Sequence, residues 1–149
     1  MKIYISAQAL QKHEMETRLA AFMGDTIEHM LKLYLIPSHS ARNHWKQEVY
    51  AFVHSVEKLK TTKKFPTANQ IFEWTYKKVE DTLSDSNKMH RMVIDICHSY
   101  NAEIPNDIFE ILRDFDIICK NYFLWTADEL SKTGFLFRSD VYAKLDELF

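Results

Sequence analysis

The feature that most constrains this chain is its near lack of glycine and proline. Only 2 Gly and 3 Pro occur among 149 residues, whereas average usage is roughly 7% and 5%. A β-sandwich or barrel needs many turns that carry Gly or Pro, but a helical bundle needs few connections. A chain of this length also fits one domain. We therefore expect an all-α, single-domain bundle of six or seven helices over residues 1–149.

Apolar residues recur at spacings of three and four, and breaking residues separate the successive helical stripes. Pro37 predicts the end of the first long helix, and residues 84–86 predict a break between the third and the fourth. Residues 101–105 predict the connection to a fifth helix, and Gly134 predicts a C-terminal stop. Gly24, within the first stripe, predicts a bend or a close helix crossing.

Two capping-box patterns predict helix starts, because a Ser or Thr cap can pair with a Glu or Gln three residues later. Thr67 with Gln70 predicts the start of the third helix, and Thr126 with Glu129 predicts a further helix after the fifth. Ser139 predicts the cap of a short last helix. The second of these boxes is the reason that seven helices are considered beside six.

The charge is weakly negative overall but unevenly distributed. The net charge is -2 and the pI is near 6.4, which does not favour a nucleic-acid-binding protein. Residues 1–75 carry 10 Lys and Arg against 7 Asp and Glu, whereas residues 76–149 carry 9 against 14. The basic excess forms a patch at Lys58, Lys60, Lys63 and Lys64. The acidic excess gathers at Glu103, Asp107, Glu110, Asp114 and Asp116. These two oppositely charged regions either steer a charged partner or form ordinary solvated faces.

The two cysteines and the hydropathy pattern bear on localisation. Cys97 and Cys119 lie within apolar periodic stretches, where a free cysteine behaves as a small buried hydrophobe. Buried free thiols are typical of a reduced, cytoplasmic protein. No stretch has the apolar core of a signal peptide, and no segment approaches 18 apolar residues. We expect a cytoplasmic protein without a membrane association.

The sequence gives little support for a metal site or a cofactor site. Three carboxylate–histidine pairs have helical spacing, at Asp25 and His29, Asp95 and His98, and His54 and Glu57. None of these pairs has the spacing of a known metal motif. The chain also lacks a glycine-rich loop that would hold a phosphate and a Gly-x-Ser-x-Gly nucleophile elbow. We therefore expect no metal and no cofactor.

One pair of residues suggests catalysis. Arg91 and His98 lie seven residues apart, nearly two helical turns, so both side chains project from one face. A guanidinium there can bind a phosphate while an imidazole moves a proton from a ribose hydroxyl. The spacing resembles the Arg-x(4–6)-His signature of HEPN ribonucleases, and the ending at Tyr100 is similar to that of HepT-type toxins. Met92 departs from the signature, which usually has a polar residue there. The resemblance implies a metal-independent ribonuclease with Arg91 and His98 as catalytic residues.

Two aromatic runs suggest an interaction surface. Residues 122–125 read Tyr-Phe-Leu-Trp, and residues 135–137 read Phe-Leu-Phe. One helix cannot bury four neighbouring side chains on a single face. The candidate partner-binding residues are Tyr122, Trp125, Phe135 and Phe137. In the other interpretation, these rings cover the open end of the bundle.

The first half of the chain resembles a bacterial domain-of-unknown-function family, family twenty-nine. The resemblance lies in residues 29–32 (His-Met-Leu-Lys), the Pro37 turn and residues 38–42, and in Trp45 opening a helix with Gln47. It extends loosely from residue 65 to residue 83, so it covers under half of the chain, and the family's Pro-Trp tail is missing. The resemblance implies a bacterial or phage origin and a helical fold, without an activity.

Together these patterns favour a non-enzymatic protein-binding module, such as an inhibitor, an immunity protein or an antitoxin-like protein that masks a partner. A protein partner is expected, and a homodimer is the alternative association. The HEPN-like ribonuclease is the alternative function. Binding of nucleic acid through the basic patch is less favoured, because the overall charge is slightly negative.

Overall fold

The computed structural model describes the backbone of residues 7–61 and 68–149 and, within them, the side chains of residues 13–14, 16–57 and 73–149. This part of the chain forms six α-helices and no strand, which confirms the all-α bundle. The helices are α1 (Ala7–Leu35), α2 (Arg42–Thr61), α3 (Ala68–Ser84), α4 (Ser86–Ser99), α5 (Ile108–Thr133) and α6 (Arg138–Leu148).

Several helix ends lie where the sequence predicts them. Helix α1 ends at Leu35, two residues before Pro37, because the residue that precedes a proline disfavours the helical conformation. Asp85 caps α4 and Asp107 caps α5. Each carboxylate accepts a hydrogen bond from the backbone N–H three residues later, at 3.2 and 3.1 Å respectively. These bonds satisfy donors that a helix start leaves free.

Two helices end in the left-handed backbone conformation. Gly134 has φ 83°, and its N–H donates to the carbonyl four residues earlier at 3.0 Å, which confirms the predicted stop of α5. Asn101, after α4, has φ 53°. Its N–H donates to the His98 carbonyl at 3.2 Å, and the Ala102 N–H donates to the Cys97 carbonyl at 2.8 Å. This pair of bonds is the Schellman arrangement.

The helix predicted to begin at Thr126 does not exist as a separate element, because α5 continues through this residue. Thr126 is buried, and its hydroxyl donates to the Phe123 carbonyl at 2.8 Å within the same helix. A threonine whose hydroxyl bonds a preceding carbonyl does not cap a helix start. The bundle therefore has six helices in the part that the structure describes.

One further boundary prediction is wrong, one of the two alternatives predicted at Gly24 is excluded, and one predicted cap lies outside the described residues. Helix α6 begins at Arg138, before Ser139, and no side chain caps it. Helix α1 continues through Gly24, which is exposed and has open space around the position of a Cβ atom. A close helix crossing at Gly24 is therefore excluded. The predicted cap at Thr67 lies outside the described residues.

The core draws side chains from all six helices. Its largest fully buried members are Trp45, Tyr122, Phe115, Leu19, Met23, Ile27, Met30, Leu31, Leu33, Met89 and Leu130. Cys97 and Cys119 are buried free thiols, as predicted. Helix α6 closes the bundle against α2, where Lys46 and Asp146 form an ion pair at 2.9 Å. Within residues 7–61 and 68–149, no helix is long and apolar enough to span a membrane.

Candidate functional site

The loop between α5 and α6 presents a pair of exposed aromatic rings. Phe135 and Phe137 are 49% and 60% exposed. Their ring centroids lie 4.8 Å apart with the rings nearly perpendicular, which is a favourable edge-to-face contact. Leu136, between them, is buried. The loop therefore inserts its central residue into the core and places the two phenylalanines on the surface.

Three features fix the conformation of this loop. The Leu136 N–H donates to the Glu57 carboxylate at 2.6 Å, which joins the loop to α2. The Thr133 hydroxyl donates to the Phe135 carbonyl at 2.7 Å. Gly134 supplies the left-handed conformation that turns the chain out of α5. Because the loop is already ordered, the two rings lose little conformational entropy when they bind a partner.

Trp125 lies beside this loop in an acidic groove. It is half-buried and packs on Tyr122 at 6.2 Å between ring centroids, with the Lys144 ammonium 5.7 Å from its ring centre. The groove has a volume of about 410 Å³ and is lined by Trp125, Glu129, Leu136, Asp140, Ala143, Lys144 and Glu147. Among the described lining residues, three carboxylates outnumber one ammonium, which is itself 3.3 Å from Glu147. The groove therefore favours a basic group.

Tyr122 does not belong to this surface, contrary to the sequence-based expectation. Its side chain is completely buried, and its hydroxyl has no hydrogen-bond partner. Burial is the main cause that raises the pKa of the phenol, and a charge interaction with the neighbouring Cys119 adds to it. Tyr122 packs against Trp125 from within the core, so a partner cannot contact it. The expected surface is thus reduced to Trp125, Phe135 and Phe137.

The outer face of α5 carries apolar side chains that the sequence analysis missed. Phe109, Ile117 and Leu124 are 67%, 57% and 51% exposed. At 100° per residue, these positions fall within a sector of about 80°. The buried Phe115 and Tyr122 lie on the far side of the helix. A helical projection of the whole of α5, as one continuous helix, would have revealed this stripe.

Arg91 and His98 are both exposed on α4. Arg91 lines a pocket of about 380 Å³ together with Glu28, Lys32, Lys88, Met92, Asp95, Ile96, Ser99 and Tyr100. His98 is outside this set of described lining residues. Seven residues of helix separate the two by about 10 Å along the axis. Among the described residues, Arg91 therefore shares its pocket with Lys32 and Lys88 and with the carboxylates of Glu28 and Asp95, but not with His98.

Most of the predicted basic patch lies beyond what the structure describes. Lys58 and Lys60 belong to the last turns of α2, but their side chains are not among the described ones. Lys63 and Lys64 lie outside the described residues altogether. The geometry of this patch therefore stays a prediction.

No metal-binding cluster occurs within the described residues, where no group of three or more His, Cys, Asp and Glu side chains is arranged to hold an ion. The His29 Nδ1 atom lies 2.6 Å from the Asp25 backbone carbonyl, so this ring bonds the helix rather than the Asp25 carboxylate. His54 Nδ1 lies 3.7 Å from the Glu57 carboxylate. These histidines have ordinary contacts within their own helices.

No protein-family model matches the chain, and no curated protein or solved structure matches it either. The resemblances to family twenty-nine and to the HEPN ribonucleases therefore stay predictions.

Proposed function

We propose that this protein is a non-enzymatic protein-binding module that masks a partner, as inhibitors, immunity proteins and antitoxins do. The observation that carries this proposal is the exposed pair Phe135 and Phe137 on an ordered loop. Aromatic side chains are enriched at protein interfaces and dominate their energetics. Ordering of the loop by Glu57 lowers the entropic cost of using them.

The acidic groove beside the loop indicates the charge of the partner. Glu129, Asp140 and Glu147 line the groove together with Trp125, and Lys144 is the one cation among the described lining residues. A partner with a basic contact surface would be steered towards these carboxylates, which raises the association rate more than the affinity. The proposed partner is therefore a protein with a basic surface and an apolar depression for the two phenylalanines.

A tagged pull-down from the native host, followed by a binding titration with the purified partner, tests the proposal. Phe137→Ala should weaken binding by about tenfold or more, as expected for an interface hot spot. Phe109→Ala is the matched control, because Phe109, near the opposite end of α5, is at least as exposed as Phe137. Equal binding by wild type and by a Phe135→Ala/Phe137→Ala double variant would contradict the proposal.

The cellular setting is part of the same proposal. The protein would be of bacterial or phage origin and would act in the cytoplasm. Cys97 and Cys119 are free and buried, which supports a reducing compartment. A homodimer through the Phe135 and Phe137 surface is the alternative association. Sedimentation of the purified protein, with no second protein present, distinguishes a homodimer from binding to another protein. A homodimer would sediment as a dimer in the wild type and as a monomer in Phe137→Ala. A monomer in both would exclude the homodimer.

A specific observation supports the alternative function, a HEPN-like ribonuclease. Arg91, Lys32 and Lys88 line one pocket together with the carboxylates of Glu28 and Asp95. Its described cations thus outnumber its described carboxylates by one, which supports a phosphate contact at Arg91. Cleavage of RNA by the wild-type protein, lost in both Arg91→Ala and His98→Ala, would support the ribonuclease. Both residues are exposed, so neither variant should unfold. The absence of cleavage by the wild-type protein would exclude this function.

A further inference from the structure

The groove beside Trp125 is formed by one face of α5, one face of α6 and the loop that joins these helices. Trp125 and Glu129 lie one turn apart on α5, and Asp140, Lys144 and Glu147 recur at spacings of three and four on α6. Such spacings place side chains on a single face of a helix. Every described lining residue belongs to these two helices and their loop, whose side chains are all described.

Two of the three carboxylates in the groove have no cation of their own. Among the described residues, neither Glu129 nor Asp140 forms an ion pair. Lys132 interacts electrostatically with Glu129, but its ammonium is bonded to Asp128 at 2.8 Å. Glu129 is only partly exposed, so water and salt screen its charge less than that of a fully exposed carboxylate. Both carboxylates can therefore bind an incoming cation.

A cation of the chain itself already lies over the aromatic ring of this groove. The Lys144 ammonium is 5.7 Å from the centre of the Trp125 ring and 3.3 Å from the Glu147 carboxylate. The face of an indole ring attracts a cation within about 6 Å. The Lys144 side chain is 22% exposed, and the tip of a lysine side chain extends readily into water. A second cation can therefore take the place of this ammonium over the ring.

We propose that this groove is an arginine-binding site that receives one arginine side chain of the partner protein. The inference rests on the proposed function and names the group by which the partner is recognised. A guanidinium is planar, so it can stack on the indole ring while its N–H groups donate to Glu129 and Asp140. An ammonium is more strongly hydrated and lacks this planar shape. Leu136 lines the groove and lies between Phe135 and Phe137, so the arginine would bind beside the aromatic contact.

A titration of the full chain with N-acetyl-arginine methylamide tests the site without a partner. Proton–nitrogen correlation spectra at constant ionic strength follow the Trp125 indole N–H, which Trp125→Phe identifies among the 3 tryptophans. We expect a saturable shift with the arginine derivative and binding at least about threefold weaker with the lysine derivative. The citrulline derivative, which has the shape of arginine without its charge, should give no saturable shift. Absence of saturation with arginine would overturn the proposal, as would equal binding of either other derivative.

A pair of charge-matched double variants tests the two carboxylates. Glu129→Gln/Asp140→Asn should weaken binding of the arginine derivative by about fivefold or more, because two charged acceptors are lost. Glu110→Gln/Asp114→Asn removes the same charge from exposed positions of α5 outside the groove, and it should change the affinity by less than about twofold. None of the four side chains is buried, so both variants should fold. Equal effects of the two variants would overturn the proposal.

A third variant tests the position of the cation by a gain of affinity. Lys144→Met keeps the apolar stem of the side chain and removes the ammonium that competes for the Trp125 ring. It should strengthen binding of the arginine derivative by about twofold or more. A merely structural role of Lys144 would not produce this gain. Unchanged or weaker binding by folded Lys144→Met would contradict the inference.

The arginine titration and the capture of a partner separate this inference from the proposed function. Phe135→Ala/Phe137→Ala should bind the arginine derivative as the wild type does, because these rings lie outside the described lining of the groove. A captured partner that binds Glu129→Gln/Asp140→Asn as tightly as wild type would overturn this inference alone. Binding of the derivative by a protein that captures no partner would overturn the proposed function and leave the arginine site in place.

Discussion

The Glu57 carboxylate and the Leu136 backbone N–H form a hydrogen bond of 2.6 Å that joins α2 to the loop between α5 and α6. The two residues are 79 positions apart in the chain, so the bond fixes tertiary structure rather than local structure. Leu136 lies between the exposed Phe135 and Phe137. A single carboxylate near the C-terminal end of α2 therefore helps to fix how both rings are presented.

Removal of this carboxylate should loosen the loop. We expect Glu57→Ala to lower the free energy of unfolding by about 1.5–3 kcal/mol, since a hydrogen bond to a charged group is lost. Glu57→Gln keeps an acceptor oxygen and should cost less. Urea unfolding measures the stability, and hydrogen exchange measures protection of the Leu136 amide. An unchanged exchange rate of this amide in Glu57→Ala would contradict the assigned role.

The buried hydroxyl of Tyr122 should destabilise the folded protein. It has no hydrogen-bond partner, and Phe fills nearly the same volume. We expect Tyr122→Phe to raise the free energy of unfolding by about 1 kcal/mol, because an unpaired buried polar group is removed. Denaturant unfolding measures this difference. A loss of stability in Tyr122→Phe would mean that the hydroxyl is bonded in solution.

The same hydroxyl should make the protein sensitive to alkali. Burial raises the pKa of Tyr122 above its ordinary value, which is about 10 in an unfolded chain. Above that pH, the unfolded chain releases a proton that the folded protein retains, so the free energy of unfolding falls as pH rises. Below pH 10 this contribution is fully present. Between pH 9.5 and 11, stability should therefore decline less steeply in Tyr122→Phe than in wild type. Equal slopes would exclude this linkage.

Much of the fold, but little of the site, follows from the sequence. The carboxylates of Asp85 and Asp107 cap helices because such side chains reach the free N–H groups at a helix start. The pattern at Thr126 fails because nothing interrupts α5 there, and the hydroxyl bonds its own helix. A local capping pattern therefore predicts a helix start correctly only where the preceding helix ends.

The presentation of the site depends on contacts between distant residues, which a local pattern cannot reveal. Burial of Tyr122 and exposure of Phe137 follow from which face of the bundle each residue occupies. The unpaired hydroxyl of the buried Thr75 becomes evident only when the neighbouring atoms are in place.

Both thiols should be inert in the folded protein. Burial raises the pKa of Cys97 and of Cys119, and the negative charge of Asp116 adds to the effect at Cys119. The thiolate is the reactive species, so a raised pKa and burial both suppress alkylation. We expect no reaction with iodoacetamide at pH 8 in native protein and reaction of both thiols in urea. Mass spectrometry counts the adducts, and rapid labelling of native Cys119 would contradict its burial.

The left-handed residue after α4 should tolerate glycine but not a β-branched side chain. Asn101 has φ 53°, a region that glycine and asparagine adopt with least strain. Asn101→Gly should change the free energy of unfolding by less than about 1 kcal/mol, whereas Asn101→Val should lower it by about 1–2 kcal/mol. Thermal unfolding compares the two. Equal stability of both variants would contradict the left-handed conformation.

Because α5 is one continuous helix, it fixes the distance between its two ends, and this distance can be followed by spectroscopy. Its 26 residues span about 39 Å at 1.5 Å per residue, with Phe109 near one end and Phe137 just beyond the other. A donor dye at position 109 and an acceptor dye at position 138 would therefore sit at a separation suited to resonance energy transfer. Constant transfer efficiency on addition of a partner would report rigid docking, and a changed efficiency would report movement of the loop against the helix.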